Sequence, residues 1–185
     1  MKASSEVKSG LALGLAYFIW LLGEKFLGFH DVRLDYLPFV FWLFVIFPAI
    51  GINWAMKAKR DRFYKGKINL LASLRVGVII SITMSLSAAL MKFIYVFLVN
   101  PLYYDNRIAH DRQMIEELDI ALGDKEKMIS KVMNENTLSA SMIQTFLFMI
   151  LSGCIITIVA AVMLKKNTRT PQNEDSIKIN TPKNI

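Results

Sequence analysis

The sequence predicts an all-α protein that crosses a membrane four times as a helical bundle, with a helical hairpin between the third and fourth crossings. Three observations carry this. Four apolar stretches run approximately over 9–29, 36–56, 76–99 and 139–164, each near the ~20 residues that an α-helix needs to span a ~30 Å hydrocarbon core. Hydrophobic residues make up 54% of the 185 and mean hydropathy is +0.40, more than a soluble domain of this length needs for its core. The loops are lopsided in charge, the second densely basic and the third acidic.

The first stretch follows Lys2 and Lys8 and could pass for the apolar region of a signal peptide over Gly10 to Gly23. What comes next, Glu24-Lys25-Phe26-Leu27-Gly28-Phe29, has no small-x-small cleavage site, so the stretch is expected to stay as an uncleaved anchor. The second stretch is bounded by Tyr36 and Trp54, ring types that suit membrane interfaces. Trp20 and Trp42 lie deeper and should pack or face acyl chains. Pro48 inside it removes one backbone hydrogen bond and should kink the helix.

Between the second and third stretches stand Lys57, Lys59, Arg60, Arg62, Lys65, Lys67 and Arg75 against the single acid Asp61. Short basic segments resist translocation, so this loop is expected on the cytoplasmic side. It also suits contact with anionic lipid or a cytoplasmic partner. It suits nucleic acid poorly, because no surrounding fold would organise it. The net charge of +7 then reflects basic loops rather than a nucleic-acid partner.

The third stretch places Gly77, Ser81, Ser85 and Ala89 four residues apart, hence on one helix stripe. The fourth repeats that spacing with Gly153, Thr157 and Ala161, and Gly10 and Gly14 stand in the first. Apolar side chains do not drive association in lipid, whereas small residues let backbones approach. The stripes therefore predict packing within one bundle or, alternatively, homo-oligomerisation.

From Asn100 to Leu138 five basic residues (Arg107, Arg112, Lys125, Lys127, Lys131) face eight acids (Asp105, Asp111, Glu116, Glu117, Asp119, Asp124, Glu126, Glu135). That loop belongs outside, where Tyr95, Tyr103 and Tyr104 would join an interfacial belt. Ile108, Ile115, Leu118 and Leu122 recur at near-heptad spacing and predict an amphipathic helix. Gly123 suits its C-cap, and Asp124 the N-cap of a second helix bearing Met128, Ile129, Val132 and Met133. The hairpin, approximately 102–136, is expected to cap the bundle or to dock a partner. Lys165, Lys166 and Arg169 follow the fourth stretch, so both termini are expected inside. Residues 1–166 thus form one membrane domain, and 167–185, with Thr170-Pro171 and Thr181-Pro182, read as a disordered cytoplasmic tail.

Charges inside a bilayer are costly, which makes them the first candidates for function. Counted from the cytoplasmic edge at ~1.5 Å per residue, Glu24 stands at about 20 Å and Lys92 at about 23 Å. The two share a level, near that of Gln144. They could form an ion pair lining a small polar cavity. Otherwise Lys92 snorkels to the interface while Glu24 pairs with Lys25 or water. Asn53 and Arg75 make a similar pair at the inner edge, with Arg75 expected to snorkel to headgroups. His30 and His110 are expected as exposed loop residues, remote from the single cysteine Cys154, so no metal cluster or Cys-His nucleophile is suggested. No Walker-type or zinc-protease motif is present, and no cofactor is implied.

The run Lys59-Arg60-Asp61-Arg62-Phe63-Tyr64-Lys65-Gly66-Lys67-Ile68 leads to Arg75-Val76-Gly77, and Asn100-Pro101 opens the long charged segment. This pattern resembles the domain-of-unknown-function family forty-one ninety-nine, small four-helix bacterial membrane proteins of uncharacterised activity. The resemblance spans about Gly10 to Lys166, and its most specific piece is the turn at Tyr64, Gly66 and Ile68. In that family a Thr- or Ser-Phe pair often follows the turn, where this chain has Asn69-Leu70. The resemblance implies a bacterial inner-membrane location and transfers no catalytic residue. The expected role is non-enzymatic, an accessory or scaffold subunit binding membrane partners or itself. The alternative is a small transporter or ion-coupled protein using Glu24 and Lys92.

Overall fold

A computed structural model describes residues 4–166, apart from the side chains of 41, 43 and 166. The expected tail therefore lies outside the described residues. Six α-helices and no strand occur among them: α1 (Ser5–Phe26), α2 (Leu37–Phe63), α3 (Leu70–Ile94), α4 (Tyr103–Glu116), α5 (Leu122–Glu135) and α6 (Leu138–Lys166). A short 3₁₀ turn, Leu34–Tyr36, leads into α2, and α3 continues as a π-helical turn, Tyr95–Val99. Helices α1, α2, α3 and α6 are long and apolar enough to cross a membrane.

Local chemistry explains the ends. Ser4 caps α1 by accepting from the Val7 amide, and Asn69 caps α3 by accepting from the Ala72 amide at 2.7 Å. Helix α2 outlasts its apolar stretch and carries Lys57 to Arg62 on helical backbone. Cationic side chains there are favourable to the negative end of the helix. The helix stops where Lys65 (φ 50°) and Gly66 (φ 82°) enter the left-handed region, with the Gly66 amide donating to the Arg60 carbonyl at 3.1 Å. Helix α2 runs through Pro48, which is fully buried.

α3 is the central helix. Against α6, a Cβ added to Gly77 would meet Thr157 at 2.3 Å, and one added to Gly153 would meet Ser81 at 2.7 Å. Against α1, a Cβ at Gly10 would meet Thr83 at 1.8 Å and one at Gly14 would meet Ser87 at 2.1 Å. Small residues thus let three backbones close up. The stripe residues Gly77, Ser81, Ser85, Gly153, Thr157 and Ala161 are buried inside the protomer, while Ala89 is half-buried. Helix α2 packs through rings as well as through Gly51: Phe44 lies 5.2 Å from Tyr17 and 5.7 Å from Trp20 between centroids, and a Cβ added to Gly51 would meet the Leu13 side chain at 2.3 Å.

The α4–α5 connection differs from the expected one. α4 ends at Glu116, α5 starts at Leu122 with Ala121 as its N-cap, and Gly123 sits in the first turn of α5. This end leaves Glu116 and Glu117 at the C-terminus of α4, which its dipole opposes, but Lys125 of α5 donates to the freed Glu116 carbonyl at 2.8 Å and ties the two helices together at the break. Asp124 stands in the first turn of α5, where the dipole favours it. Ile115 is buried, but Leu118 and Leu122 are exposed.

Candidate functional site

At the hairpin end of the bundle a polar network is built from α1, α3 and α4. α1 closes at Gly28 (φ 78°), where the Phe29 amide donates to the Glu24 carbonyl at 3.0 Å. This turn folds His30 back into the bundle, where it is fully buried. The expectation of an exposed His30 is therefore corrected: a side chain two residues past a left-handed turn can point inward, and here both ring nitrogens find partners. His30 Nε2 lies 3.0 Å from a Glu24 carboxylate oxygen, and Nδ1 contacts the Tyr95 hydroxyl. The other Glu24 oxygen accepts from the Trp20 indole at 2.6 Å. Asn100 donates to the same Tyr95 hydroxyl at 3.3 Å.

The π turn helps to place these groups. Its wide ring is closed by the Asn100 amide donating to the Tyr95 carbonyl at 2.9 Å, and such turns occur often at functional sites. Tyr95 and Tyr103 are buried, which corrects their assignment to an interfacial belt. Their hydroxyls have polar partners inside, so burial does not leave them unsatisfied.

Lys92 is 4% exposed and does not snorkel to the surface. Its ammonium sits 3.8 Å from the centre of the Tyr103 ring and 5.8 Å from that of Tyr95, within cation–π reach. No carboxylate of the described residues lies within ion-pair distance of it. Glu24 and Lys92 do line one cavity of about 830 Å³, within the size range of small-molecule sites. Glu24 pairs with Trp20 and His30, while Lys25 donates to the Val99 carbonyl, so those two charged neighbours point apart.

The rim of this cavity comes from α4 and the 3₁₀ turn before α2: His110 pairs with Asp35 at 3.2 Å and Arg107 approaches Asp111 at 4.0 Å. Ser141, Gln144 and Thr145 of α6 join it. Tyr17, Phe44, Phe148 and Met149 form its apolar floor. Burial pushes the Tyr103 phenol up, but the Lys92 ammonium and the Arg107 guanidinium outweigh this and hold it below a tyrosine's ordinary value. A second cavity, of about 980 Å³, lies between α1 and α2, and Trp20 and Glu24 line it too. The Trp20–Glu24 pair is therefore a shared wall.

The remaining sequence candidates lie elsewhere. Lys59 bonds Glu6 at 3.1 Å and Ser5 at 3.0 Å and covers the Phe63 ring, and Arg60 pairs with Asp61 at 2.7 Å. Lys57, Arg62, Lys65 and Lys67 are exposed, as is Arg75. Asn53 donates to the Ala49 carbonyl of its own helix. Cys154 is a half-buried free thiol. No group of three metal-ligating side chains occurs among the described residues.

Sequence reasoning missed His30, Tyr95, Tyr103 and Arg107. Glu24-x₃-Gly28-x-His30 carried a signal for the first, since a glycine closing a helix can return the chain onto it. No curated protein and no solved structure matches the chain. The profile of the family described as "Protein of unknown function (DUF4199)" matches residues 8–166, nearly the whole described bundle, and the chain belongs to that family.

Proposed function

We propose that this chain spans a bacterial inner membrane four times, with the basic end cytoplasmic and the α4–α5 hairpin outside. On this reading it is a non-enzymatic binding protein of the transport class, taking a small molecule into the cavity at the hairpin end. One observation carries the reading: Lys92, almost wholly buried, lines that cavity without a carboxylate partner. An ammonium held out of water without a counter-charge is expensive, and a ligand would offset that cost.

Cysteine accessibility tests it. In a Cys154→Ala background, Ser141→Cys and Thr145→Cys should react with a membrane-impermeant thiol reagent applied to intact cells. Asp119→Cys in the hairpin should react as the positive control, and Lys57→Cys only after the cells are opened. Silence at both 141 and 145, with position 119 labelled, would sink the cavity reading. Labelling of position 57 in intact cells would reverse the orientation.

A second reading is an accessory subunit that docks partners through the hairpin. Leu118, Ile120 and Leu122 at its tip are exposed, which favours it. Homo-oligomerisation through the small-residue stripes has less support, because their close approaches are made within one protomer. Partners captured in mild detergent only when the tip is intact would favour the accessory role.

A further inference from the structure

We infer that the cavity's occupant is an anionic amphiphile, one acyl or alkyl chain ending in a singly charged carboxylate or phosphodiester. This rests on the ligand-binding reading proposed above and names its chemistry. The acids that line the cavity already have partners: Glu24 has Trp20 and His30, Asp35 has His110, and Asp111 has Arg107. Lys92 is the buried cation that remains. No carboxylate of the described residues lies within 4.0 Å of its ammonium, so the anionic end of a ligand is the partner that would meet it. Arg107 and the Tyr103 hydroxyl stand beside it as further donors.

Polarity sorts by depth. Charged side chains occupy the rim beneath α4, whereas the floor is aromatic and aliphatic. Tyr17 stands two turns below Glu24 on α1, and Met149 two turns below Ser141 on α6, which makes the apolar part about 10–12 Å deep. A small hydrophilic anion would leave that wall unused, while a chain would bury it at ~25 cal/mol per Å² of apolar surface removed from water. The cavity is not sealed laterally either, since it is lined by the exposed Pro38 and Trp42 of α2 and the exposed Gln144 of α6. A chain can thus enter from the side with its headgroup held at the rim.

The test uses the full chain in nanodiscs of neutral phosphatidylcholine, with brominated undecanoate as probe and tryptophan quenching as readout, in a Trp54→Phe background. Saturable quenching is expected, with affinity falling tenfold or more in Lys92→Gln and retained in Lys92→Arg. Thr145→Phe, which fills the cavity and leaves the charge alone, should weaken binding similarly. Unbrominated lysophosphatidylglycerol, with one chain and a phosphodiester, forms a second arm: competition from it assigns the source to membrane lipid, and its failure to compete assigns it to free fatty acid, either of which supports the proposal. Equal quenching in wild type, Lys92→Gln and Thr145→Phe would overturn it. So would acetate competing as well as undecanoate, or an alkyltrimethylammonium of the same length binding as tightly. If quenching is unsaturable while positions 141 and 145 are labelled from outside, the amphiphile fails and the cavity reading stands. If those positions are silent, the cavity reading itself has failed.

Discussion

The two sides of the bundle are built from different residues, and the contrast locates the site. Along the α1–α3–α6 side, glycines and hydroxylated residues bring backbones so close that an added Cβ would collide. On the α2 side, Phe44, Trp20 and Tyr17 meet ring to ring and hold α2 away at their level, and the close approach at Gly51 is to the end of the Leu13 side chain rather than to backbone. The two cavities described above border α2 and both include Trp20 and Glu24. Small residues seal an interface, whereas aromatic ones space helices apart and leave volume that polar groups can use.

The sharpest way to break this contrast is to force open the sealed side. Gly77→Leu drives a branched side chain into Thr157, 2.3 Å from where its Cβ would stand. A loss of about 3 kcal/mol or more, or failure to fold, is expected in thermal melts in detergent. A melt within experimental error of wild type would mean that α3 and α6 are not in contact as described. Next comes His30→Ala at the open side. It removes one partner each from the Glu24 carboxylate and the Tyr95 hydroxyl, which keep Trp20 and Asn100, at about 2–3 kcal/mol. Glu24→Gln on top of it should recover part of that loss by removing the charge, and no recovery would show that the pairing matters little.

Smaller effects refine the picture. Ser81 Oγ lies 3.4 Å from Thr157 Oγ1 but also donates to its own helix at Gly77. A double-mutant cycle of Ser81→Ala and Thr157→Val should give a coupling of about 0.6 kcal/mol, and a value several times larger would make the seam a polar lock rather than a steric fit. Gly23→Ala should be neutral or stabilising by up to about 1 kcal/mol, since nothing lies within 4 Å of the added Cβ. A large loss there would show that the α1–α2 groove is tighter than it looks.

The fold was legible because helix length, small-residue spacing and hydropathy are all local properties of the chain. Gly77, Ser81, Gly153 and Thr157 stand out at four-residue intervals before any contact is known. The turn at Tyr64, Gly66 and Ile68 was legible as a pattern, and its physics is now plain: Gly66 takes a positive φ and Ile68 is buried. The site was half legible. Depth counting put Glu24 and Lys92 on one level, and they share a cavity, but their partners depend on two backbone irregularities. Gly28 returns His30 to the core, and the widened turn at Tyr95–Val99 sets where Tyr95, Asn100 and Tyr103 fall. Periodicity at 3.6 residues is blind to both. The hairpin's break is not legible in apolar spacing, because what meets the end of α4 is a contact from the next helix, Lys125 donating to the Glu116 carbonyl.

That widened turn has one more consequence. A π turn holds one residue beyond what an α-helical turn would, so the chain behaves there as if a single amino acid had been inserted late into a regular helix. Deleting one residue between Val96 and Val99 would let the amide that now closes the wide ring make an ordinary α-helical bond to the same Tyr95 carbonyl, with the chain beyond it kept in nearly the same direction. The same deletion in a regular turn of α3 would rotate everything after it by about 100°. The wide turn is therefore where α3 can lose a codon and keep both its seam and its charged chamber.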